Sequence, residues 1–572
     1  MRKGFVGIGI LCVLAAAGTV GCGDDDSSGP GPTPSATTPT PPPPPPPPPA
    51  AAVSVAITPA NGNLLTCSSV SATVTGATDT SVAWSTNPAG IGGADTKGNY
   101  AAPIKTPSPA AITLTATSNA DKSASASGMF TLGTAFPHPA VTVTGSTSDG
   151  ESFGVFPHWT AAKGMRVYNV WPQQTGTSVK LMLGRSDDSG GTFATAKPAI
   201  SATVTDSNTH IDCAAVAIDA GNADVVYALA MIDGSNDLAT GVGADGAVLA
   251  LATSTDGGGT FTTRVLQVGG TAGGPSGLDL VGICGDVVST SANTVVVASP
   301  GVYNADSAPD IAIFTDNAQG AGFASGTLSN NDYVAGGYQA SLSNVNGAAT
   351  PQTRVAVQQD GESADGDGAT ESPRLFTDGA GNLCITYIGF IEGPPSSTHT
   401  YVECSTDAGK NFTGFVALDP ADADLTHSQS VGAIGAGGRA AVVWTTGIAA
   451  GGKLMLATRP DAMSAFGTPV AIPTYVVPGT MAGATVSNPA LAYDANGVLW
   501  VAYAPSDGGL RNRIAVDKSC DDGKTWSGAV LVNGPEASIV DMRWPSFAMT
   551  AGATPHVFAM AADHGAIFSL AP

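Results

Sequence analysis

The chain reads as all-β, a small β-sandwich followed by a β-propeller of seven blades, with six blades as the alternative count. Three observations predict this. Short runs of alternating apolar and polar residues, punctuated by Gly, Pro, Asn and Asp, recur along most of the 572 residues. One Ser-x-Asp-x-Gly hairpin pattern appears four times, each time after an apolar strand. A unit of roughly 57 residues with room for four short strands repeats through the second half and beyond. The composition agrees. A charged share of 12% with 73 Gly argues against coiled coils and long surface helices, and 43% hydrophobic residues argues against a mainly disordered chain. With 22 Lys and Arg against 45 Asp and Glu, nucleic acid and anionic lipid headgroups are poor partners.

The first segment is an address. Arg2 and Lys3 precede the apolar run Gly4 to Val20, and Thr19-Val20-Gly21-Cys22 leads directly into Gly23-Asp24-Asp25-Asp26. This run resembles the lipobox of bacterial lipoproteins, with Thr19 where that family has an aliphatic residue. The resemblance implies acylation of Cys22, removal of residues 1–21, and a secreted chain anchored by lipid at the outer membrane or cell surface. The alternative is an ordinary secretory signal. Residues 22–50 end in nine prolines, Pro41 to Pro49, and form a polyproline tether rising about 3.1 Å per residue.

Residues 51–134 alternate with period two in Val53–Ile57, Val70–Val74, Ser81–Ser85 and Ile112–Ala116, separated by turns such as Asn61-Gly62. Val82-Ala83-Trp84-Ser85, Gly98-Asn99-Tyr100 and Thr113-Leu114-Thr115-Ala116 together resemble bacterial Ig-like surface domains. The resemblance implies a spacer or adhesion unit with Trp84 as its buried core aromatic.

Residues 138–572 carry the repeat. Ser186-x-Asp188-x-Gly190-x-Thr192-Phe193 recurs at Ser254–Phe261, Ser405–Phe412 and Ser519–Trp526, with degraded copies near Asp316 and Asp461. This resembles the Asp-box, or BNR repeat, of sialidases and other propellers. There the box is a structural corner away from the ligand face, so its aspartates are assigned no chemistry. The carboxylate is expected to cap backbone N–H groups, the Gly to take positive φ, and the aromatic ring to pack beneath the next strand. Asp-x-Gly-Asn-like turns at Asp219, Asp378 and Asp494 introduce second strands. Anchor positions at Pro157, Ala214, Val281, Pro373, Val431, Pro489 and Pro545 mark seven innermost strands, with an insertion at about 325–366. The last unit has three strands, and Ala140–Thr144 is the candidate fourth that closes the ring.

Cys384 and Cys404 fall on adjacent antiparallel strands equidistant from the turn at Pro394-Pro395, which predicts a disulfide. Cys213 and Cys284 are a second candidate pair, and Cys67 and Cys520 are left unassigned. Residues leading into innermost strands form the candidate channel mouth: His210, Asp212, Asp279, Glu371, Arg374, His427, Gln429 and Arg543. A ligand-contacting mouth and a solvated rim are the two readings of that set. Asp360, Glu362, Asp365 and Asp367 make an oxygen-rich loop that suits Ca²⁺, although no cofactor is required.

The sialidase resemblance implies three arginines on a carboxylated sugar, a Tyr–Glu nucleophile and an Asp acid/base. The first-blade segment Val155-Phe156-Pro157-His158-Trp159 has no arginine, and only Arg374 and Arg543 lie on or beside innermost strands. No catalytic residue is assigned. The expected function is a monomeric surface protein that binds glycan or extracellular protein. The alternatives are an exo-acting glycoside hydrolase of sialidase-like type and a structural envelope scaffold.

Overall fold

The computed structural model describes residues 52–133, 141–142 and 158–570, apart from short loop stretches and the longer segments 269–283, 322–340, 344–352 and 358–367. The chain divides into two units, Met1–Ala51 and Ala52–Pro572. The first lies outside the described residues, and with it the expected leader, Cys22 and the tether. Among the described residues no helix is long and apolar enough to cross a membrane.

Two four-stranded sheets come first. One runs Ser54–Thr58, Ser69–Thr75, Tyr100–Ala101, Gly93–Ala94, and the other Gly62–Leu65, Ser125–Gly133, Ala111–Ser118, Val82–Asn87. Period-two alternation buries Val70, Leu114 and Phe130 between them and leaves the intervening Ser and Thr outside. The central aromatic is Tyr100, 1% exposed, whose hydroxyl donates to the Ile91 carbonyl at 3.0 Å. Trp84, expected in that place, lies at the margin with its indole N–H on the Gly98 carbonyl. A single strand of alternation does not say which of two inward aromatics reaches the centre.

Seven further antiparallel sheets form a propeller-like ring, numbered here as blades one to seven. Their innermost strands are Thr160–Lys163, Ile211–Ile218, Asp286–Ser291, Arg374–Thr377, His427–Ile434, Val486–Tyr493 and Met542–Met549. Each packs against the next, and the seventh against the first. Blade seven is completed by Val141–Thr142, which pairs with Phe568 and Ser569, so a strand preceding blade one closes the ring as the sequence implies. The stretch expected to be a plain insertion instead supplies the outer strands of blade three, Thr353–Val357 and Ser341–Ser343.

The hairpin corners behave as their composition requires. In the first box Ser186 Oγ donates to Asp188 Oδ1 at 2.7 Å, Asp188 accepts the Thr192 N–H at 2.8 Å, and Gly190 sits at φ 89°. The same bonds recur at Asp256 and Asp521. These donors hold the Asp188 carboxyl down at about 2. The aromatic ring packs on the preceding blade, not under the next strand. Phe193 meets Phe558 of blade seven edge-on at 6.1 Å, and Trp526 joins the core around Leu456 of blade five. A Cβ on Gly523 would clash with that Leu456 side chain. Each box is therefore a wedge between blades. The Asp219 turn adds a clasp: its carboxylate accepts the Asn293 N–H of blade three at 2.6 Å.

Cys384 and Cys404 stand directly opposite one another and are bonded, as the sequence predicts. Cys67 is bonded to Cys520 across 453 residues, tying the sandwich to the box corner of blade six. Cys213 and Cys284 lie buried in one core cluster as thiols and form no disulfide, contrary to the expected pairing, and burial pushes the Cys213 thiol up. Non-reducing peptide mass mapping of the native protein should find 67 linked to 520 and 384 to 404. Cys213 and Cys284 should alkylate only after unfolding; any other linkage refutes the assignment.

Glu403 is 3% exposed in blade four and accepts the Tyr387 hydroxyl at 3.2 Å, and burial pushes its carboxyl up to about 8. In an unfolded chain it titrates at about 4.3. The folded state thus holds an extra proton between those values, so stability falls as pH rises through that window, by up to about 1.4 kcal/mol per pH unit. Glu403→Gln should flatten this slope in denaturation curves from pH 5 to 9. Parallel wild-type and variant curves would refute the assignment.

Candidate functional site

The box loops bond to the turns that end the innermost strands: Ser189 N–H to Met165 O at 2.7 Å and Ala408 N–H to Gly381 O at 3.0 Å. They therefore occupy one end of the ring. The other end, where the innermost strands begin, holds an axial pocket of about 90 Å³ whose wall includes His158, Arg374, Gln429, Asn488 and Trp544.

Three β-bulges shape it. In blades five, six and seven the innermost strand places two residues opposite one, at Gln429–Ser430, Asn488–Pro489 and Trp544–Pro545. The first of each pair is left-handed, at φ 51°, 52° and 55°. None is a glycine, and such a conformation costs on the order of 1–3 kcal/mol per residue. The extra residue resets the alternation, so Gln429, Asn488 and Trp544 line the pocket at one level of three neighbouring blades. Gln429 Nε2 donates to Asn488 Oδ1 at 3.1 Å, and the Asn488 N–H returns a bond to Gln429 Oε1 at 2.6 Å. The Trp544 carbonyl accepts the Trp159 indole N–H of blade one at 3.0 Å.

Asp286 is fully buried on the innermost strand of blade three. Its carboxylate stands 2.8 Å from His158 Nδ1 of blade one, and it accepts the Leu375 N–H of blade four at 2.7 Å and the Val287 N–H at 2.8 Å. It ties three blades together and is committed to that task. Arg374 is 6% exposed, and its Nη1 has no hydrogen-bond partner; the same holds for Ser430 Oγ, 3% exposed, on the next blade.

Of the mouth residues expected from sequence, Arg374 and Gln429 line this pocket. Asp212 is half-buried on the innermost strand of blade two at a register shift between Ile211 and Cys213, outside the pocket wall. His210, Asp279 and Glu371 lie outside the described residues, as do Asp360, Glu362, Asp365 and Asp367. For His427 and Arg543 the described part is the backbone, in blades five and seven. Among the described residues no group of three or more His, Cys, Asp or Glu could hold a metal ion.

Sequence reasoning missed His158, Asp286, Asn488 and Trp544. The bulged residues Asn488 and Trp544 stand immediately before the anchors Pro489 and Pro545, and the expected mouth residue Arg543 lies one position further back. In blade five the residue equivalent to Pro489 and Pro545 is Ser430, one before the anchor Val431, so the expected mouth residue Gln429 is itself the bulged position. The Asn-Pro and Trp-Pro dipeptides at the start of two innermost strands were the available signal.

No protein-family model and no curated protein matches the chain. Among solved structures it is similar to the Hadza microbial sialidase Hz136, at 12% identity and a TM-score of 0.39, covering 83% of this chain and 75% of that one. It is likewise similar to the α-L-arabinofuranosidase Arb93A of Fusarium graminearum, at 11% identity and TM-score 0.39 over 76% and 98% of the two chains. A polysaccharide lyase of family PL25, an ulvan lyase, matches at 10% identity and TM-score 0.43 over 76% and 96%.

Proposed function

We propose that this is a lipid-anchored surface protein whose sialidase-like, seven-bladed propeller binds carbohydrate at the axial pocket without catalysis. The acylated Cys22 and the polyproline tether would hold it at the membrane, with the Ig-like sandwich as a spacer. The observation that carries the binding reading is the convergence of three strained, non-glycine residues on one pocket. Backbone strain persists where the surrounding fold enforces it, and it gathers at ligand sites. The groups so presented are two carboxamides and an indole. Carboxamides donate to and accept from sugar hydroxyls, and an indole face covers the C–H face of a pyranose.

Chemistry at the same place is disfavoured by what Asp286 does. Glycoside cleavage needs two carboxyl groups about 5–9.5 Å apart, one of them able to exchange a proton with the leaving group. Asp286 is fully buried under bonds from His158, Leu375 and Val287.

A glycan array on the secreted chain, run beside hydrolysis of chromogenic glycosides, tests the reading. Binding should quench tryptophan fluorescence, and Trp544→Ala should weaken it at least about tenfold, or about 1.4 kcal/mol, with unchanged melting behaviour. Turnover abolished by Glu371→Gln would replace the binding reading with an enzyme. Unchanged affinity in Trp544→Ala would move the site elsewhere.

A further inference from the structure

The axial pocket contains two polar groups that the fold does not satisfy. Arg374 Nη1 and Ser430 Oγ are buried and without partners, and both residues line the same cavity. Buried polar atoms are almost always paired, and a buried guanidinium left unpaired is among the costlier exceptions. Their placement is shared. Arg374 opens the regular pairing of blade four opposite Thr386, and Ser430 sits in the bulge just before pairing resumes at Val431 in blade five. The two innermost strands pack on one another, and both residues line the one cavity.

Charge decides what fits between them. Among the described residues no carboxylate pairs with Arg374. Asp286 is occupied by His158 and two backbone N–H groups. A water molecule would satisfy the hydroxyl but leave the cation uncompensated, whereas an anion accepts from both donors and balances the charge. The cavity, at about 90 Å³, exceeds the ~10–15 Å³ one water needs, so a small anion and a few waters fit. The chain as a whole carries −23, so retention of an anion must come from this local arrangement and not from the overall field.

We infer that the pocket holds a small free anion, a halide or a tetrahedral oxyanion, between Arg374 Nη1 and Ser430 Oγ, bridging blades four and five. The site stands whether or not a glycan binds above it. The test is thermal melting of the secreted chain titrated with chloride, bromide, sulfate and phosphate, with Arg374→Gln as the control for general salt effects. At least one of these anions should raise the wild-type melting temperature by several degrees, saturating at millimolar concentration. Arg374→Gln should keep only the shallow, unsaturating response. Ser430→Ala should fold and need about tenfold more anion, and a bromide-soaked crystal should show an anomalous peak beside Arg374. Should Arg374→Gln fail to fold, the Ser430→Ala titration and the bromide peak decide the matter. Equal, unsaturating responses in wild type and variants, with no bromide peak, mean that the cavity holds water only and overturn the proposal.

Discussion

A ring of sheets buries its faces only if it closes, and here one short pairing completes the last sheet while the innermost strands of blades seven and one pack on each other. Val141–Thr142 completes the last blade, so the sheet at the end of the chain is finished by a strand from before the first. Without it, blade seven would have three strands and an open edge, and its core would face solvent on one side. Val141–Thr142 is therefore part of the propeller although it precedes blade one in the chain.

Closure fixes the circumference, and two other devices fix the spacing. On one end of the ring the Asp-box corners act as wedges. Their capped turns are rigid, and their aromatic rings fill the seam with the preceding blade, as Phe193 does against Phe558. On the other end Asp286 works radially, with His158 of blade one and the Leu375 amide of blade four held to one carboxylate. A buried carboxylate that lost either partner would keep its desolvation cost without compensation, which makes the tie stringent. The division of labour separates the molecule into an end built for packing and an end with space to spare.

The repeat, its four-strand unit, the closing strand and the Cys384–Cys404 bond were all legible in the sequence, because each has a local signature. Asp188, Gly190 and Phe193 occupy fixed offsets within one turn, and Leu383–Tyr387 reads as a strand on its own. What was not legible depends on events one residue wide. A bulge at Asn488 or Trp544 leaves composition and spacing nearly unchanged yet moves every following side chain to the other face. The Cys67–Cys520 bond joins parts of the fold 453 residues apart, beyond any local pattern. Asp286 looked like an ordinary residue opening a valine-rich strand, and its role appears only when blades one and four are brought to it.

The same bulges explain why the pocket sits where it does. Blades five, six and seven each spend conformational strain at equivalent positions, while the inner strands of blades one, three and four instead share one buried carboxylate. The ring is thus asymmetric about its axis: one side is bound tightly to Asp286, and the other is held open by left-handed residues whose side chains line the cavity. A propeller whose only task was to be rigid would have no use for that difference, since regular pairing in all seven innermost strands costs less. The strain is retained on the side where Gln429, Asn488 and Trp544 face the space, and Arg374 and Ser430 stand at the seam between the two halves. That arrangement is what supports the recognition proposed for the axis, while the box corners pack the blades together.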